Sequence, residues 1–73
     1  MDLYRIYIRN TRTNTPVLQV DDFDGLEVSR NTAVAELARL GDRYRAGGIF
    51  TVDADLVLAT YEESHVVATA PLS

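Results

Sequence analysis

The alternation of apolar and polar residues predicts strands at both ends of the chain and one helix between them. Tyr4, Ile6 and Ile8 alternate with Arg5, Tyr7 and Arg9, which is typical of a strand with one buried face. After a polar loop, a second apolar run over residues 17–20 predicts a strand that pairs with the first. The proline before this run suits the start of a strand or a sheet edge, because proline has no N–H to donate.

The middle of the chain has the spacing of an amphipathic helix over residues 32–46. Its apolar stripe comprises Ala33, Leu37, Leu40 and Tyr44. Asn31 or Thr32 can cap the first turn, because a short side-chain oxygen accepts from free backbone N–H groups. Gly47 and Gly48 are expected to end the helix, because glycine adopts the left-handed conformation without a Cβ clash.

After the helix, the composition predicts further strands over residues 49–52, 56–61 and 65–70. Residues 53–55 interrupt them as a tight turn or as a bulge. A helix over residues 55–63 is the competing interpretation, since Asp55 could cap it, but the β-branched residues downstream favour a hairpin. The sequence therefore predicts an α+β domain spanning residues 1–73, with a single helix packed on an antiparallel sheet in the order ββαββ(β).

The length and composition limit how this domain can be stabilised. A chain of 73 residues has a small core, and without cysteine it has no disulfide or thiolate metal site to reinforce it. Oligomerisation is the remaining common way to bury more surface. No apolar run is long enough to span a membrane, and no secretory signal is visible, so we expect a cytoplasmic protein with no membrane partner.

Carboxylates are concentrated in the turns, within a net charge of −4. The candidate acidic patch comprises Asp21, Asp22, Asp24, Glu27, Asp53 and Asp55, with Glu62 and Glu63 in a third turn. If these turns share one end of the sheet, they would attract a basic partner and could imitate the phosphates of nucleic acid. By analogy of class, such a patch suits a phage-type anti-defence protein. The simpler interpretation is that carboxylates are good turn residues that keep a protein soluble.

The predicted C-terminal hairpin is apolar on both faces. A strand with one buried face should alternate, whereas Val57 and Ala59 face away from Leu56 and Leu58 and are equally apolar. We therefore expect a homodimer or another protein to cover this second face. The residues of this apolar hairpin face are Val57, Ala59, Val66 and Val67. Together with the acidic patch, they predict a small, non-catalytic interaction protein, either an inhibitor or an adaptor.

An alternative function is nucleic-acid binding through the outer face of the first strand. Arg5, Tyr7 and Arg9 form a basic and aromatic stripe, with Arg12 in the adjacent loop. Single-stranded nucleic acid binds such surfaces by stacking on rings and pairing with arginine. The negative net charge disfavours this alternative, because phosphate binding needs a positive field. Arginine stems covering a solvated sheet face are the simpler explanation.

The sequence indicates no catalytic, metal or cofactor site. His65 is the only histidine, and its neighbour Ser64 lies in no nucleophile motif. Asp22, Asp24 and Gly25 match three positions of a calcium-binding EF-hand loop, but the first and twelfth positions lack carboxylates. We therefore expect neither an enzyme nor a metal-binding protein.

Overall fold

A computed structural model describes residues 2–48 and 53–72 of the chain. In these residues the elements are β1 (Tyr4–Asn10), β2 (Thr15–Asp21), α1 (Arg30–Gly47), β3 (Ala54–Thr60) and β4 (Val66–Pro71), with a short 3-10 turn at Phe23–Gly25. The strands form one antiparallel sheet in the order β2-β1-β3-β4, and α1 packs against it. The predicted α+β architecture and the ββαββ order are confirmed.

The core lies between α1 and one face of the sheet. Strand β1 buries every second side chain, as its alternation predicts, and the residues opposite on β3 lie on the same face. The buried cluster comprises Tyr4, Ile6, Ile8, Ala33, Leu37, Leu40, Leu56, Leu58 and Leu72. Three of the four residues of the predicted helix stripe belong to this cluster, and the fourth, Tyr44, packs against it.

The ends of α1 differ from the prediction at the first turn. Ser29 is the N-cap: its Oγ accepts a hydrogen bond from the backbone N–H of Thr32 at 3.1 Å. The prediction of Asn31 or Thr32 as the cap is wrong, because both already lie inside the helix. At the other end the prediction is confirmed, since Gly48 is the C-cap in the left-handed conformation, with φ of 63°.

The C-terminal hairpin is confirmed, and the competing helix over residues 55–63 is wrong. Ala54 and Asp55 belong to β3, so the predicted interruption reduces to Asp53, a bend with φ of 57°. The strand predicted over residues 49–52 lies outside the described residues. The last strand begins at Val66 rather than at His65, and the proline expected to end it is its last residue.

Strand β2 forms one edge of the sheet, as its proline indicates. The helix makes its main contacts with β3 and β4, which lie away from the β2 edge in the strand order. As a result, five of the seven β2 residues are exposed, among them Val17 and Leu18, at 64% and 59%. In the crossover that follows, Val28 packs on the core as expected, but Leu26 is exposed.

Candidate interaction surfaces

Seven carboxylates gather at one end of the sheet. This end, called here the acidic end, is where β1 and β4 begin and where β2 and β3 finish. The acidic residues in these connections are Asp2, Asp21, Asp22, Asp24, Glu27, Glu62 and Glu63, out of eleven in the whole chain. The turn over residues 21–27 and the turn at Glu62 therefore share one end, as the acidic-patch hypothesis requires.

Four of these carboxylates surround a groove of about 440 Å³. The groove, called here the acidic groove, is lined by Asp2, Leu3, Glu27, Thr60, Glu62 and Glu63. Backbone hydrogen bonds hold its walls together: Asp2 and Val28 exchange two, at 3.2 and 3.0 Å, and the Tyr61 N–H donates to the Leu3 carbonyl at 2.9 Å. The carboxylates thus sit on a backbone framework fixed by the sheet.

No ion pair among the described residues involves a carboxylate of the acidic groove. In residues 2–48 and 53–72 the ion pairs are Arg9–Asp55, Arg39–Glu36 and Arg45–Asp42, and none of them involves a groove carboxylate. Within the same residues, no group of acidic or histidine side chains is placed to hold a metal ion. Like charges around a concave surface reinforce one another, so the groove carries a negative potential.

The other two members of the predicted patch, Asp53 and Asp55, lie at the opposite end of the sheet, where β3 begins. Strand β3 has seven residues, so it separates them from Glu62 by about 20 Å. The prediction of one patch containing all six residues is wrong in this respect. This separation could have been predicted by following the chain direction. Each strand or helix takes the chain from one end of the sheet to the other, so the turn before β3 and the turn after it lie at opposite ends.

The aspartates of the crossover shape the backbone around them. The Asp21 carboxylate accepts a hydrogen bond from the Phe23 N–H at 2.8 Å, and Asp22 accepts one from the Asp24 N–H at 3.0 Å. Phe23 and Asp24 both have positive φ, near 55°, a conformation in which such local side-chain bonds help to fix the chain. Asp21 and Asp22 therefore have a structural role in addition to their charge.

The basic and aromatic stripe predicted on β1 lies on the sheet face opposite α1, called here the outer face. Arg9 is engaged there: its Nε and Nη2 donate to the two carboxylate oxygens of Asp55 at 3.1 and 2.7 Å. The hydrogen bond to Asp55 is the main cause that raises the pKa of Arg9 above its ordinary value. A raised pKa favours the charged form in the folded chain, so the contribution of Arg9 to stability is lost as the pH rises through the strongly alkaline range.

Arg5 is held between two aromatic rings. Its guanidinium carbon lies 5.6 Å from the centre of the Tyr7 ring and 5.9 Å from that of Tyr61, and its Nη2 donates to the Ser64 Oγ at 2.6 Å. Arg5 and Arg9 are therefore committed to contacts within the chain. Arg12, the remaining residue of the nucleic-acid hypothesis, is exposed in the β1–β2 loop.

The β3 residues of the apolar hairpin face are already covered by the chain itself. Val57 and Ala59 are both 0% exposed, and the residues opposite them on β1 are Tyr7 and Arg5. Arg5 and Tyr7 have long side chains, which at such cross-strand positions can cover smaller apolar neighbours. The expectation that a partner must cover Val57 and Ala59 is wrong. Val66 is 44% exposed and Val67 packs partly against the core.

Ser64 and His65 have contacts that fix the β3–β4 turn. The Ser64 N–H donates to the Thr60 carbonyl at 3.0 Å, and the His65 N–H donates to the Thr60 Oγ1 at the same distance. The Ser64 hydroxyl accepts from Arg5, as described above. These contacts join the turn to the end of β3 and to β1.

Comparison of the chain with models of protein families, with curated proteins and with solved structures found no match. In the described residues, no helix has both the length and the apolar character needed to cross a membrane.

Proposed function

We propose that this chain is a small non-catalytic interaction protein whose acidic end binds a basic surface of another protein, as an inhibitor or an adaptor. The acidic groove is the observation that carries the proposal. Asp2, Glu27, Glu62 and Glu63 surround a concavity large enough for one or two basic side chains, and no ion pair among the described residues neutralises them. An arginine fork would gain charge-assisted hydrogen bonds there.

The outer face supports this choice over the nucleic-acid alternative. A phosphate-binding surface needs cations that can turn toward the ligand. Arg9 forms a two-bond ion pair with Asp55, and Arg5 is fixed by Tyr7, Tyr61 and Ser64. Phosphate would compete with these contacts, whereas binding a basic group in the acidic groove requires breaking none of the ion pairs described here.

A peptide titration tests the proposal with a defined probe. A short arginine-rich peptide added to isotopically labelled protein should shift the backbone amide resonances of the acidic groove, and the effect should weaken as salt rises. Residues at the opposite end, such as Asp53, should shift little. Equal shifts at both ends would contradict the proposal, because they would indicate attraction to net charge alone.

Charge-neutral variants give the matched control. Glu62→Gln with Glu63→Gln removes two groove charges, and Asp42→Asn with Asp53→Asn removes two charges elsewhere. The first pair should lower the peptide affinity roughly tenfold, and the second should lower it by less than about threefold. The groove pair is preferable to substitutions at Asp21 and Asp22, whose carboxylates also hold the backbone. Similar losses in both double variants would refute a localised site.

A further inference from the structure

The geometry of β2 points to a second copy of this chain as its partner: we propose that two copies pair antiparallel along their β2 edges, forming a continuous eight-stranded sheet. This inference is independent of the acidic groove, which lies at the β1, β3 and β4 side of the acidic end. It places a homodimer contact on a strand different from the hairpin considered in the sequence analysis.

Strand β2 presents an open edge with apolar side chains. It pairs with β1 on one side and with no described strand on the other, so backbone donors and acceptors of its outer edge are available for pairing. Val17 and Leu18 are more than half exposed. The segment over residues 13–20 contains no charged residue, so it lacks the charges that commonly prevent edge pairing. Pro16 removes one donor from this edge and leaves the donors of its neighbours.

The charges flanking β2 select an antiparallel second copy. Arg12 lies just before the strand, and Asp21, Asp22 and Asp24 lie at its end and just after it. An antiparallel pair related by a two-fold axis places the first end of one strand beside the last end of the other. The Arg12 of each copy then lies near the aspartates of the other copy, so one dimer contains two such contacts. A parallel arrangement would instead bring the two sets of aspartates together.

The other sheet edge, β4, is less suited to this pairing. The helix packs against β4, and Arg45 Nη1 donates to the carbonyl of Pro71, which is one of the acceptors that an added strand could use. Leu72, the next residue, is buried in the core. Val66 of β4 is also partly exposed, at 44%, but only β2 combines exposed apolar residues with oppositely charged flanks among the described residues.

Sedimentation velocity over a range of protein concentrations tests the pairing. The wild type should show a monomer–dimer equilibrium, and Val17→Lys should raise its dissociation constant at least about tenfold. Leu26→Lys is the matched control, because Leu26 is also 64% exposed but lies outside β2. A wild type that stays monomeric at millimolar concentration, or a dimer equally sensitive to both substitutions, would overturn the proposal.

A charge-reversal experiment tests the orientation. Arg12→Glu and Asp24→Lys should each weaken the homodimer roughly tenfold, because each creates two like-charge contacts. A mixture of the two variants restores two opposite-charge contacts per heterodimer, so it should associate about as well as the wild type. In the described residues the Asp24 carboxylate accepts no hydrogen bond, and circular dichroism confirms that each variant is folded. A mixture no tighter than the separate variants would overturn the antiparallel arrangement.

Discussion

Individual residues of the outer face show how a sheet with one helix can close both of its faces. Arg5 and Tyr7 are polar by type, but each has a long apolar portion that can lie over the neighbouring strand. Their positions opposite Ala59 and Val57 help to explain why an apolar run on β3 is buried with no second layer among the described elements. A pattern of apolar residues on both faces of one strand is therefore compatible with a single covering helix.

Val57→Ala should lower the free energy of unfolding by about 2 kcal/mol, because it removes two buried methyl groups and leaves a cavity. Val66→Ala removes the same groups from a side chain that is 44% exposed, and it should cost less than about 1 kcal/mol. Both residues lie in strands, so the change in β propensity largely cancels between them. Urea denaturation measures both values. Equal losses would show that Val57 is not covered within the chain.

At the scale of elements, the start of α1 depends on one hydroxyl. Ser29→Ala should lower the free energy of unfolding by about 1 kcal/mol, because the Thr32 N–H loses its acceptor. Asn31→Ala is the control at an exposed position inside the first turn, and it should change the stability by less than about 0.5 kcal/mol. Thermal or urea unfolding distinguishes the two. A larger loss for the Asn31 variant would contradict the assignment of the cap.

The sequence predicts the elements more closely than their ends and their contacts. Periodicity identifies β1 and α1 because it records which side chains are buried. Periodicity places the N-cap wrongly, at Asn31 or Thr32 instead of Ser29. All three side chains can accept a hydrogen bond, and only the backbone conformation determines which of them is the cap. The acidic groove could be predicted only in part, because its assembly depends on a bridge between Asp2 and Val28 that no local pattern indicates.

The contact between α1 and β4 depends on a glycine in the buried stripe. A Cβ added at Gly41 would lie 3.2 Å from the Cβ of Ala70. Gly41→Ala should therefore fail to provide the gain of about 1 kcal/mol that alanine brings at an open helix position. In an Ala70→Gly background that gain should return, giving a coupling energy of about 0.5–1 kcal/mol in a double-mutant cycle. Additive effects of the two substitutions on the free energy of unfolding would contradict this prediction, because they would show that α1 and β4 adjust to the added methyl group without cost.

At the scale of the whole molecule, charge is unevenly distributed between the two ends of the sheet. Seven carboxylates lie at the acidic end, whereas toward the other end Arg9, Arg12, Arg43 and Arg45 outnumber Asp42, Asp53 and Asp55. Helix α1 begins at the acidic end, so the positive end of its dipole partly offsets these carboxylates. We expect the remaining repulsion among these carboxylates to act against folding.

This repulsion predicts a salt effect with a definite sign. Raising the ionic strength should stabilise the wild type by several tenths of a kcal/mol, because screening weakens the repulsion among the groove carboxylates. Glu62→Gln with Glu63→Gln should raise the stability at low salt by about 0.5 kcal/mol and reduce the salt effect. Asp42→Asn is the control, because this carboxylate is paired with Arg45, and its loss should not stabilise the chain.

Unfolding curves at two salt concentrations provide the comparison, and equal responses of the groove and control variants would contradict it. The sign of the effect separates two explanations of the acidic groove. If its carboxylates served only to form turns, removing Glu62 and Glu63 would leave the stability unchanged or lower it. A gain in stability means that these two charges oppose folding at the positions they occupy. Such a gain would support the proposed binding of a basic surface in the acidic groove.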